Sequence, residues 1–366
     1  MKAALISLGS VSSKWTLQAM KNYFSEVDDL DIRKIEINFA TKTPSVLYDG
    51  KPMKAYDCVY AKGSFRYAQL LRSITTFYRE DPTYMPINAE AFTIVHDKIL
   101  TQLELQKNGI PMPKTYLSST PMAAKKILEK VNYPIIMKFP QGTQGKGVMF
   151  ADSFASASSM LDALTALRQP FLIQEYIETD ETDTRAFVVG NKVIAGMKRK
   201  AMNGEKRANI HAGAIGEAAE LDTYTKKIAV QTAKVLGADI CAVDILESVK
   251  GPLVIEANLS PGLQGITKVT KVNIADKIAA FLAKKTKEML DAQKKYGADD
   301  ILKEIDQKTK DEKKKIITNP DFRGNKILLP ELVTQITKFA DEDHLEFDIQ
   351  EGKLSIKKID IEKEKK

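Results

Sequence analysis

Two apolar segments late in the chain carry carboxylates where strands should be buried: Ala242-Val-Asp-Ile-Leu246 and Val254-Ile-Glu-Ala-Asn258. A carboxylate inside an apolar strand is costly unless something positive meets it. Glu256 and Asn258 are two residues apart, so both side chains face the same side of a strand. Asp244 lies on the neighbouring strand and can reach that face. Three oxygen donors without His or Cys suit Mg²⁺, which shares its shell with phosphates. The other reading of these acids is a buried set tied up by arginines or backbone donors.

The rest of the chain offers enough material for such a core. It has 366 residues, 43% of them hydrophobic, which allows two or three domains. No run approaches the roughly 18–20 apolar residues of a membrane span. The opening MKAALISLGS reads as a buried first strand rather than a signal peptide. Cys58 and Cys241 both lie in apolar runs, so neither a disulfide framework nor a cysteine metal cluster is implied. A reducing cytoplasm fits. The net charge is +7, yet residues 284–366 hold 20 basic and 19 acidic residues, so the excess lies in the first 283. A mixed-charge tail argues against nucleic-acid binding, which wants a patch of one sign.

Residues 1–95 alternate strands (Ala3–Leu8, Ile32–Ile37, Cys58–Tyr60) with helices (Trp15–Tyr23, Ala68–Phe77), the pattern of a small parallel α/β domain. A second unit runs from 96 to 283 and changes character near 180–185. Its first part has a helix ending at Gly109–Ile110–Pro111 and strands at Ile135–Phe139, Val148–Ala151 and Phe171–Glu175. Its second part is antiparallel, with Arg185–Val189 and Val193–Met197 flanking the turn Gly190–Asn191. A helix over Thr223–Leu236, the two acidic strands and a last helix, Ile274–Leu282, complete it. Residues 284–318 read as a charged helical linker. Residues 319–361 read as a small accessory module with a hairpin around Glu351–Gly352.

Two further groups could carry chemistry. Lys138 ends an apolar strand and is followed by Gln141-Gly-Thr-Gln-Gly-Lys-Gly147. Three glycines let backbone N–H groups turn towards an anion, and a lysine beside them adds a point charge. The spacing is neither a P-loop nor the dinucleotide fingerprint, and a plain hairpin turn is the alternative. Arg199 and Arg207 flank the turn Asn203–Gly204, and their forks could bind phosphate or carboxylate, or simply face solvent.

Taken together, these groups resemble the ATP-grasp ligases, and within them the RimK-like branch. The matching strings are Asp97–Lys98, Met137-Lys-Phe139, Gly142-Thr-Gln-Gly145, Gln174-Glu-Tyr-Ile177, Asp183-Thr-Arg-Ala-Phe-Val188, Met197-Lys-Arg-Lys-Ala201, Arg207-Ala-Asn-Ile-His211, Val243-Asp-Ile245 and Glu256-Ala-Asn-Leu-Ser-Pro-Gly-Leu263. The resemblance implies an α/β (α+β) ATP-grasp fold, preceded by the small parallel domain and followed by the accessory module. It implies that Lys98 and Lys138 contact phosphates beneath the loop Gln141, Gly142, Gly145, Lys146 and Gly147. Gln174, Glu175, Tyr176 and Ile177 would line the adenine site and Asp183 would reach the ribose. Arg199 and Arg207 would hold phosphoryl oxygens or a substrate carboxylate. Asp244, Glu256 and Asn258 would ligate two Mg²⁺ ions, with Mn²⁺ as the other ion admitted.

The activity so implied joins an amino acid, glutamate favoured, to an acceptor carboxylate through an acyl-phosphate, with ATP giving ADP and phosphate. The acceptor would be a peptide or protein C-terminus, a cofactor tail or a carrier protein. Positioning and charge neutralisation suffice for phosphoryl transfer, so no nucleophile is assigned to His96, His211 or the cysteines. Lys326-Ile-Leu-Leu-Pro330 and the terminal hairpin resemble the AbrB-type swapped-hairpin fold, which implies a homo-oligomer. The competing readings are a small-molecule dipeptide ligase and a non-catalytic nucleotide-binding or DNA-associated regulator.

Overall fold

A computed structural model describes residues 1–40, 44–78, 82–118, 120–139, 147–166, 170–200, 215–296, 321–323, 326–329 and 331–359. The chain divides into two compact units, Met1–Asp291 and Ala292–Lys366.

The first unit opens with β1 (Lys2–Ser7), α1 (Val11–Met20), β2 (Glu26–Asp31), β3 (Ile35–Asn38), β4 (Ser45–Tyr48), β5 (Lys51–Pro52) and β6 (Cys58–Ala61). The helices α2 (Ala68–Phe77) and α3 (Ala89–Val95) follow. β1 is the centre of a parallel sheet in the order β2-β1-β6, and β3, β4 and β5 form a separate antiparallel sheet. Apolar patterning points to Ile32–Ile37 as the second strand, but the strand beside β1 is the acidic Glu26–Asp31. Its charges are met from outside the sheet: Lys54 pairs with Glu26 and Asp28 at 3.0 Å each, and Tyr56 Oη donates to Asp28 at 2.7 Å. The first helix begins earlier than Trp15 because Ser10 caps it, its Oγ accepting from the Ser13 N–H at 3.2 Å.

Next come α4 (Lys98–Lys107), β7 (Thr115–Leu117), α5 (Pro121–Leu128), β8 (Ile135–Lys138), β9 (Val148–Ala151), α6 (Phe154–Ala166) and β10 (Leu172–Glu175). Their strands make an antiparallel sheet ordered β7-β10-β8-β9, covered by α5 and α6. Ala124, Leu128, Met137, Leu161 and Ile173 build a core of its own beneath them.

The remaining elements are β11 (Thr182–Val189), β12 (Lys192–Lys200), β13 (Ile215–Ala218), α7 (Thr223–Val235), β14 (Ile240–Ser248), β15 (Gly251–Asn258), α8 (Gln264–Thr270) and α9 (Ile274–Tyr296). The five strands run antiparallel in the order β13-β12-β11-β14-β15. Gly190 takes φ +59° at the β11–β12 turn, the left-handed conformation that such a hairpin asks for. This sheet shares one hydrophobic core with the N-terminal parallel sheet, from Leu5 and Tyr60 through Phe187 and Val243 to Ile278. The last helix runs past Leu282 to Tyr296, through Thr286, which is buried, and the Lys285–Glu288 pair at 2.9 Å.

The second unit contains paired strands Asp321–Arg323 and Lys326–Leu328, a helix over Glu331–Thr337, and a hairpin of His344–Gln350 with Lys353–Ile359. Gly352 turns the hairpin with φ +71°. Of the expected linker, residues 297–318 lie outside the described residues.

Candidate active site

The five-stranded sheet gathers charge on one face through its register. Arg199 on β12 stands opposite Asp183 on β11, Arg185 on β11 opposite Asp244 on β14, and Asp244 opposite Glu256 on β15. Arg199 forks onto Asp183, Nε to Oδ1 at 2.5 Å and Nη2 to Oδ2 at 2.8 Å, and its Nη2 also reaches Asp244 Oδ2 at 2.9 Å. Arg185 forks onto Asp244 with two bonds of 2.8 Å. On the opposite face Glu247 accepts from Thr184 Oγ1 at 2.9 Å and from Lys198 at 3.5 Å.

Burial alone would raise the Asp244 carboxyl, but Arg185 and Arg199 outweigh it and hold Asp244 well below the usual carboxylate range. Asp183 is pushed up to about 7, first by burial and then by the Asp244 charge, against the pull of Arg199. Burial works against the Arg199 charge, yet Asp244 and Asp183 together keep its guanidinium firmly protonated.

Glu256 is placed differently. Among the described residues it has no ion-pair partner. Burial, then the Asp244 charge, raise its carboxyl, while Lys98 and Lys138 pull it down. Those lysines come from elsewhere in the fold. Lys98 is the first residue of α4, whose cap is Asp97, accepting from the Ile99 and Leu100 N–H groups at 2.8 and 3.1 Å. Lys138 ends β8 in the four-stranded sheet, and burial, reinforced by Lys98 and opposed by Glu256, lowers its ammonium to about 8. The charges of the two lysines, one from α4 and one from β8, thus act on the same β15 carboxylate.

Beyond Lys138, Gln141, Gly142, Gly145 and Lys146 lie outside the described residues, as does Arg207. Gly147 closes the turn: its carbonyl accepts from the Phe139 N–H at 3.1 Å and its φ is +77°. A Cβ there would come within 2.1 Å of Phe139 Cδ2, so only glycine fits. On β10, Gln174 is buried and its Nε2 donates to Thr115 Oγ1 at 2.8 Å. Glu175 pins β7 through its Oε1, which accepts from the Lys114 N–H at 2.8 Å. Tyr176 packs edge-on against Phe150 at 5.3 Å, and Ile177 is half-buried just beyond.

The donor set fits a hard cation. Glu256 is a half-buried carboxylate without an ion-pair partner among the described residues, and Asn258 Oδ1 accepts from the Ser260 N–H at 2.9 Å, leaving a lone pair. No group of three His, Cys, Asp or Glu among the described residues could hold a metal by itself. Phosphate and water oxygens would have to complete the shell, as Mg²⁺ prefers.

Arg185 is the residue that sequence reasoning passed over. Its signal was present as Asp183-Thr-Arg185: two charged residues two apart in a strand share a face.

A family model described as a RimK-like ATP-grasp domain matches residues 95–282, just over half of the chain. The chain belongs to the RimK-like ATP-grasp family. The RimK-like match runs from just before α4 to within α9 and includes Lys98, Lys138, Arg185, Asp244, Glu256 and Asn258. A probable alpha-L-glutamate ligase from Vibrio atlanticus is 35% identical over 264 residues, 72% of this chain and 88% of that protein. Another from Methanococcoides burtonii is 34% identical over 296 residues, 78% of this chain and 97% of its own length. Among solved structures, the ATP-grasp ligase PsnB complexed with minimal precursor, Mg and ADP aligns at TM-score 0.62 and 18% identity. That alignment covers 78% of this chain and 98% of PsnB, and it carries the ATP-grasp fold. As a RimK-like ATP-grasp protein, the chain is an ATP-dependent ligase that forms carbon–nitrogen bonds.

Proposed function

We propose that this ligase adds L-glutamate to the carboxylate of a peptide or protein acceptor through an acyl-phosphate. The observation that carries the reading is Glu256, a half-buried carboxylate with no ion-pair partner among the described residues, within reach of the Lys98 and Lys138 charges. The names of the relatives, probable alpha-L-glutamate ligases, support glutamate as the added group.

In this reading MgATP supplies the phosphoryl group that turns a carboxylate into an electrophile. Lys98 and Lys138 neutralise phosphate charge, and the partial burial of Lys138 and Glu256 lessens competition from water. Asp244, Glu256 and Asn258 would hold Mg²⁺, two ions in the full form of the proposal, with Mn²⁺ as a substitute. Arg185 and Arg199 fix the Asp244 oxygens, so the donor is oriented before ligand arrives. Gln174, Glu175, Tyr176 and Ile177 are proposed to border the base; Asp183, expected at the ribose, has both carboxylate oxygens on Arg199 and is proposed to act through that arginine instead. Gly142, Gly145 and their loop neighbours, with Arg207, are proposed to close over the phosphates.

The protein is proposed to act in the cytoplasm; no helix among the described residues is long and apolar enough to cross a membrane. Phe347, Ile349 and Leu354 in the second unit are 54%, 73% and 54% exposed, which supports self-association through that unit. Light scattering on the chain truncated after Leu290 tests this, and an unchanged subunit number removes it.

The functional reading is tested by incubating the protein with MgATP, single amino acids and peptide acceptors. ADP release should require both amine and acceptor, and the acceptor should gain glutamyl increments by mass spectrometry. Mass gain with free amino acids only as acceptors would make it a dipeptide ligase instead.

A further inference from the structure

We infer that the crevice at the carboxyl ends of β1 and β6 binds a carboxylate of the incoming amino acid, with Lys62 as its counter-ion. The inference deepens the ligase reading and rests on it.

The parallel sheet has the order β2-β1-β6, so the chain leaves β1 for one neighbour and returns on its other side. In open α/β sheets a crevice forms outside the strand ends where the order reverses in this way. Lys62 stands there. It follows β6 directly, its N–H donates to the Ile6 carbonyl at 2.9 Å, and it is only 3% exposed. Among the described residues it has no hydrogen-bonded or ion-paired acid. The Tyr60 ring, with its centroid 5.7 Å from Nζ, is the compensation it does have. A buried ammonium costs far more than one ring at that distance returns. Asp31, the acid at the same end of β2, is already committed to Arg33 through bonds of 2.9 and 2.6 Å.

The second cationic feature is the start of α1. Three residues separate β1 from the helix, whose first turn contains no acidic residue to offset the helix dipole. Its Ser12 Oγ accepts from the Leu263 N–H at 2.9 Å in a buried contact. The loop leading from Asn258 is thereby seated against the same helix end. Both loops border open space: Gly9 and Gly262 are exposed, and among the described residues nothing lies within 4 Å of where a Cβ would stand at either. Tyr60, under the Lys62 ammonium, belongs to the same buried core as Cys241 of β14 in the five-stranded sheet.

The chemistry selects the amino acid. The acceptor carboxylate is consumed in the reaction, whereas the carboxylates of the amino acid stay anionic from start to finish. A buried lysine with no acid partner among the described residues matches an anion that persists through the reaction.

The test uses full-length Lys62→Met in steady-state ligation. The KM for L-glutamate should rise about tenfold or more, with those for ATP and acceptor within about twofold of wild type. An unchanged glutamate KM, or a rise in the ATP or acceptor KM instead, overturns the inference. A melting arm needs no turnover: L-glutamate should raise the wild-type melting temperature more than at least one of L-glutamine and L-isoglutamine does, and Lys62→Met should lose that difference. Equal shifts from the acid and both amides also overturn it. Absence of any ligation by the wild type would count against the functional reading, while the melting arm still decides the Lys62 site.

Discussion

Arg185 holds Asp244 by two parallel hydrogen bonds, Nε to Oδ1 and Nη2 to Oδ2, each 2.8 Å long. The β11–β14 register sets this pair directly opposite each other. Charge-assisted bonds of this kind contribute about 1.5–3 kcal/mol. Arg185→Met leaves Asp244 with Arg199 alone. Urea unfolding of the variant should show a loss of that size.

Glu256 behaves in the opposite sense. A half-buried carboxylate without an ion-pair partner among the described residues burdens the ligand-free fold, in line with its raised pKa. Glu256→Gln should therefore melt no lower than wild type in metal-free buffer. Its ligation rate should nevertheless fall about 10²–10³-fold, the loss expected from one charge-stabilising group. A lower melting temperature would assign Glu256 a structural part instead.

Lys62 gives a stability-versus-pH prediction. Burial lowers its folded pKa to about 8, below the value of about 10.4 expected for the unfolded chain. The unfolded state thus binds more protons between those values, and stability contributed by the neutral lysine appears as pH rises through that window. It is absent at neutral pH, where the charged form costs about 3 kcal/mol at most. Lys62→Met should be more stable than wild type at pH 7, and the gap should close towards pH 10. Parallel pH profiles would contradict this.

Gly147 ends the turn beyond Lys138 at φ +77°, with Phe139 filling the place of a Cβ. Gly147→Ala should cost about 1–3 kcal/mol through strain and overpacking. The loss should also appear as a higher KM for ATP with a smaller change in kcat.

Much of the fold could be read in the residues because periodicity and turn chemistry agreed. Ala68–Phe77 is helical as its pattern indicates, and Gly190–Asn191 turns the hairpin between β11 and β12. The misreadings arose where tertiary partners overrode pattern. Glu26–Asp31 looks too acidic for a strand until Lys54 and Tyr56 meet it, and Ile32 begins a 3₁₀ turn instead. In the site, Asp244 and Glu256 stood out because carboxylates are conspicuous in apolar strands. Arg185 and Lys62 did not, since only the sheet register and the burial reveal what each one faces or lacks.

The most direct test of the site is calorimetric titration of ATP into wild type and Glu256→Gln, with and without Mg²⁺. Binding to the wild type should be Mg²⁺-dependent, and the variant should lose most of that dependence while still binding nucleotide weakly through its lysines. Equal affinity with and without the divalent ion, or an unchanged Mg²⁺ effect in Glu256→Gln, would contradict the assignment of Glu256 opposite Lys98 and Lys138 as the MgATP site.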